Sequence, residues 1–159
     1  MARYLTHPSA RSLLSGGFLA GIIGGALLAA FLLAVRLATY PSWFQWVASG
    51  VLGSRIGFTE TGFAWLGIVL HFAIAIVAAI SYAYVGQVVG WLGRPFLAGT
   101  VFGVVMNAIM DFVIYVRGLG LLPHGTPAIL LGLVAHVCFF GIPVAWFVAR
   151  YERFPVPYT

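Results

Sequence analysis

Four long apolar runs, broken by short polar or Gly/Pro-rich stretches, dominate the chain. They cover roughly residues 14–37, 62–85, 95–116 and 127–150. A helix rises about 1.5 Å per residue and needs about 20 residues to cross a bilayer, so each run predicts a membrane-spanning helix. Pro95 and Pro127 open the third and fourth runs, where a proline's missing N–H is harmless. The first run, LSGGFLAGIIGGALLAAFLLAVRL, follows Arg3 and Arg11 as a signal peptide would. It is longer than a signal core and no small-residue cleavage site follows, so it reads as a retained helix.

The stretch from Tyr40 to Glu60 is too long for a turn between helices. Within it, residues 42–52 predict a short amphipathic helix. Ser42, Gln45 and Ser49 fall on one side, and Trp43, Phe44, Val47 and Val51 on the other. The expected position is flat at the outer membrane surface. The predicted fold is therefore all-α, a single membrane domain formed by a four-helix transmembrane bundle, with an interfacial helix between the first two spans.

Composition supports lipid as the solvent. The 159 residues are 62% hydrophobic and 7% charged, and mean hydropathy is +1.06. A soluble domain would carry several times more charge. The eight basic residues are all Arg, against three acids. They sit singly at segment ends, which reads as topology and not as a nucleic-acid surface. With the N-terminus in the cytoplasm, that side holds Arg3, Arg11, Arg94, Arg150 and Arg153, and the other Arg36, Arg55 and Arg117. Both termini are expected inside. Trp43, Trp46 and Trp65 would then anchor the outer interface, and Trp91 and Trp146 the inner one. Cys138 is the single cysteine, which rules out an intrachain disulfide or thiolate cluster.

Small residues recur at four-residue spacing. Gly17, Gly21 and Gly25 form one row; Gly99, Gly103, Asn107, Asp111 and Tyr115 form another. Each row lies on one helix face, and small residues let helices approach closely in lipid. Packing within the chain is the first expectation, with a homodimer along the first helix as the alternative.

Candidate chemistry is confined to a few polar residues inside the spans. His71 and His136 each lie about nine residues from the outer end of their helices, roughly 13 Å deep. Asn107 matches that depth from the opposite direction, and Asp111 is one turn nearer the surface. A carboxylate in hydrocarbon costs at least ~2.5 kcal/mol, so Asp111 must face the interior, be protonated or be paired. Arg36 and Arg117, at the outer ends of the first and third helices, are candidate partners that could snorkel to it.

Three readings follow. The four residues form a structural network that fixes helix register. Or His71 and His136 clasp a haem b iron from opposite sides, with Arg36 or Arg117 at the propionates. Or imidazoles and carboxylate line a metal or proton site. His7 and His124 fall outside the spans and read as solvated. Pro143, with Gly141, predicts a kink in the fourth helix. No phosphate loop, dinucleotide fingerprint, zinc-protease pair or nucleophile elbow occurs, which argues against an autonomous enzyme.

Through QWVASGVLGS, LGIVLHFAIA and LVAHVCFFGIPVAWFVAR, the chain resembles a group of small uncharacterised bacterial inner-membrane proteins with four transmembrane helices. The resemblance implies that location and the four-helix plan, and no activity. The functional expectation is a small non-enzymatic membrane protein, either an accessory subunit of a membrane complex or a homo-oligomer. A bis-histidine haem electron carrier and a small transporter or ion-conducting oligomer are the alternatives.

Overall fold

The computed structural model describes residues 9–35, 42–52, 62–116 and 125–153, and nothing is said of the rest. All the long elements are helical: α1 (Ala10–Ala34), α2 (Ser42–Leu52), α3 (Gly62–Val88), α4 (Pro95–Val116), α5 (Gly125–Val134) and α6 (Ile142–Arg153). A π-helical segment, Ala135–Gly141, joins α5 to α6, so these three pieces make one rod. Four stretches are long and apolar enough to cross a membrane: Ala10–Ala34, Ala64–Val88, Pro95–Val113 and Ile129–Tyr151. The chain is thus a four-helix, multi-pass membrane protein, with the short α2 between the first two spans.

Local signals account for the helix ends. Ser9 caps α1, its Oγ accepting from the Ser12 N–H at 3.1 Å. Gly90, with φ of 72°, takes the left-handed conformation that ends α3, and a 3₁₀ turn (Trp91–Gly93) leads into α4 at Pro95. The face of the bundle where α1 begins and α3 and α6 end is called the near face. There Tyr84 Oη donates to the Ala10 carbonyl at 3.2 Å and Tyr151 Oη to Ser15 Oγ at 3.3 Å, tying the three ends together.

The glycine rows are consumed by packing within the chain. On α1, a Cβ at Gly21 would stand 2.5 Å from Ile76 Cα, and one at Gly17 2.7 Å from Ile80 Cα. On α4, a Cβ at Gly103 would stand 2.6 Å from the His136 carbonyl oxygen, and one at Gly99 2.6 Å from Ile142 Cα. Gly141 answers from the other helix, against Gly99 and Gly103. Lipid offers no hydrophobic drive for helix association, so such backbone proximity and the dispersion it permits hold the bundle together. Any dimer face must use another surface of α1.

These pairings order the spans as α3, α1, the α5–α6 rod and α4. The rod meets α1 through Phe139 stacked on Phe31, with centroids 4.0 Å apart. The remaining edge, α3 to α4, is bridged toward the near face by Tyr82 against Phe102, 4.9 Å between rings. Alanines fill the centre: Ala20, Ala79, Ala83, Ala135 and Ala145 are fully buried. The outer surface carries large apolar side chains, among them Val69, Val77, Phe96 and Phe112. Two hydroxyls exposed to lipid are satisfied by their own helices: Ser81 donates to the Val77 carbonyl and Thr100 to that of Phe96.

Ahead of Pro143, where a kink is expected, the helix carries a seven-residue π segment. Proline has no N–H and its ring clashes with the carbonyl four residues back. The helix answers by lengthening its turn, with the Ile142 N–H bonding to Val137 O, five residues back. On α2 residues of both sides are buried, Phe44 as well as Gln45 and Ser49, while Val51 and Leu52 are exposed. Ser49 Oγ satisfies itself on the Gln45 carbonyl at 3.0 Å. α2 packs extensively against α3. It is thereby docked against the bundle, between the first two spans in the chain.

Candidate functional site

Gly67, His71, Ala78 and Tyr82 recur at intervals of four, seven and four, and so share one face of α3. Toward the near face that side meets α4 through Tyr82 and Phe102. Toward the far face it meets α2: the backbone of Phe44 presses on Gly67, where any side chain would collide. Beside the far half of α3, then, α2 takes the place that α4 takes below. His71 sits at this change of neighbour.

His71 is buried and its ring is boxed by aromatics. Trp43 lies 5.1 Å away, Phe72 5.3 Å and Phe44 6.2 Å, all steeply tilted to it. Its Nε2–H donates to the Gly25 carbonyl of α1 at 3.0 Å. A carbonyl only accepts, so the proton is on Nε2. The bond exists because the Gly25 face of α1 lies against α3: a Cβ there would be 3.0 Å from Ala75 Cβ. Trp43, expected as an outer-interface anchor, is turned inward onto this imidazole. Trp65, Trp91 and Trp146 are exposed on the outside of the bundle.

His136 is the second residue of the π segment. Its Nδ1–H donates to the Gly132 carbonyl one turn earlier, at 2.9 Å. That fixes the ring and leaves Nε2 with its lone pair. On α4, Asn107 Nδ2 donates to Asp111 Oδ2 at 2.8 Å. Asn107 is buried and Asp111 half-buried. The side chains of α5 and α4 tilt toward their own N-termini. Because α4 and the α5–α6 rod run in opposite directions, the His136 imidazole and the Asp111 carboxylate lean in opposite senses along the bundle axis. The two are within electrostatic reach of one another, as are His71 and His136.

The structure thus pairs Asn107 with Asp111 and sets His136 within electrostatic reach of Asp111 and of His71. Arg36 and Arg117, and with them His7 and His124, lie outside the described residues. The two histidines interact electrostatically, but their free nitrogens differ. Haem clasped from both sides needs an unprotonated nitrogen from each ring aimed at one iron. The Nε2 of His71 is engaged by Gly25, and its ring is enclosed by Trp43, Phe44 and Phe72. The residues present do not fit that group in this arrangement. Among the described residues, no three His, Cys, Asp or Glu side chains converge on one point. Sequence reasoning missed the Gly25 carbonyl and the aromatic box. The one signal was Gly67, a turn before His71, marking a close approach to a then unknown neighbour.

Compared with known proteins, the chain matches no family model, no curated protein and no solved structure. Function must therefore be argued from the fold and these side chains.

Proposed function

We propose that the chain is a small non-enzymatic integral membrane protein of the bacterial inner membrane, with both termini cytoplasmic, acting as a subunit of a larger membrane assembly or of a homo-oligomer. One observation carries the reading: His71, buried on the α3 face, uses its donor to bind α1 to α3 through the Gly25 carbonyl. It is a tie between helices and not a group waiting for substrate. The same static use of interior groups recurs in the glycine crossings of α1 with α3 and of α4 with the π segment. Such a bundle is a rigid body that offers its apolar flanks to lipid or to other helices.

Extraction into a mild detergent or polymer nanodisc, followed by native mass spectrometry, tests this. The expected result is a complex larger than one chain, either homo-oligomeric or with a reproducible partner. A lone monomer in every mild extraction overturns the subunit reading. Cysteine accessibility at Arg11→Cys and Arg94→Cys, in a Cys138→Ser background and in intact cells, checks the orientation. Labelling by an impermeant reagent from outside would contradict cytoplasmic termini.

A further inference from the structure

The seam between α4 and α5 gathers acceptors. Asn107 places its Oδ1 beside Gly132, 3.6 Å from where a Cβ on that glycine would stand. His136 bonds to the carbonyl of the same Gly132, so its Nε2 keeps a lone pair on the same side of the rod. Asp111 takes one hydrogen bond from Asn107 on Oδ2, and Oδ1 remains to accept. Asn107 donates one amide N–H to Asp111, and His136 donates its Nδ1–H to Gly132. What is left over is a carboxylate oxygen, an amide oxygen and an imidazole nitrogen, which is a cation's environment.

The position suits an ion arriving from water. Asp111 is half-buried and lies two residues inside the end of the apolar stretch Pro95–Val113, toward the far face. The bare Cα of Gly132 leaves room beside the amide oxygen. The second coordination sphere is also in place, since a metal-binding imidazole commonly anchors its other nitrogen on a carbonyl, as His136 does on Gly132. One nitrogen and two oxygens, with water completing the set, select a first-row divalent ion over the hard all-oxygen ions.

We propose that His136 Nε2, Asp111 and Asn107 form a binding site for a divalent transition-metal ion at the far end of the α4–α5 seam. His71 is not a ligand. This goes beyond the subunit reading and stands or falls apart from it, since a monomer could still bind the metal.

The test uses the full chain, purified in detergent with any affinity tag removed, and titrated with Co²⁺ at neutral pH. A saturable visible band, displaced by Zn²⁺ and untouched by excess Mg²⁺, is expected. His136→Gln and Asp111→Asn should each weaken binding at least tenfold, while His71→Gln keeps it. No saturable band from wild-type protein that is helical by circular dichroism overturns the proposal. So does binding retained in His136→Gln. The wild type alone gives a second readout that no misfolded variant can obscure. On adding Zn²⁺, the His136 Nε2 ¹⁵N resonance should move to a metal-bound position and that of His71 should stay. The reverse pattern overturns the assignment.

Discussion

Replacing Gly103 with alanine adds one methyl group where α4 crosses the π segment. That Cβ would stand 2.6 Å from both the His136 carbonyl oxygen and Val137 Cα. Carbon atoms rest at about 3.5–4.0 Å, so the helices must separate by roughly 1 Å. The obstacles are backbone atoms, which have no rotamer to escape into. Overpacking of this kind costs about 1–3 kcal/mol. Alanine returns up to about 1 kcal/mol through its better helix propensity. The net expectation is a loss of about 1–2 kcal/mol, a factor of roughly 5–30 in the folding equilibrium. Gly132→Ala is the matched control, because its Cβ would meet Asn107 Oδ1 at an ordinary 3.6 Å. There the propensity term stands nearly alone, and the change should be neutral or stabilising by up to ~1 kcal/mol. Steric trapping or SDS-titrated unfolding in mixed micelles reads both variants. A Gly103→Ala protein as stable as wild type would refute the close α4 crossing and the placement of His136 that depends on it.

Other outcomes follow from the same packing. The Tyr82 hydroxyl is buried with no hydrogen-bond partner among the described residues. Tyr82→Phe should be neutral or stabilising by about 1 kcal/mol, and a clear loss in unfolding assays would reveal a hidden partner. His71→Phe keeps the ring but removes the tie to Gly25. The loss expected is about 0.6–1.7 kcal/mol, the range for hydrogen bonds between membrane helices, and an unchanged midpoint would show that the bond is not made. Protein expressed with ample haem should show no Soret band; a band abolished by both His71→Ala and His136→Ala would restore the haem reading.

Much of the fold was legible in the sequence because lipid imposes simple rules. A span of about 20 apolar residues has few alternatives, and the expected 62–85 and 95–116 match helices at Gly62–Val88 and Pro95–Val116. Glycine spacing told which faces of α1 and α4 meet other helices, since only close contact gives such rows a use. What could not be read was direction. Periodicity shows that α2 has two unlike faces but not how it docks, and here Gln45 and Ser49 are buried together with Phe44. The π segment was equally hidden. Pro143 marks a fault in the helix, while the choice between a bend and a wider turn depends on the packing of Gly141 against Gly99 and Gly103. In the candidate site, depth arithmetic brought His71 near His136. It could not reveal that a backbone carbonyl of α1 holds the donor of one ring, because the chain does not mark which carbonyls a neighbouring helix can reach.

The central claim is that the two buried histidines do different work, one tying helices and one keeping a free nitrogen. Their tautomers report it directly. ¹⁵N spectra of histidine-labelled protein in bilayers, assigned with His71→Gln and His136→Gln, should show the proton on Nε2 of His71 and on Nδ1 of His136. An Nδ1–H tautomer at His71, or an Nε2–H tautomer at His136, would contradict the account.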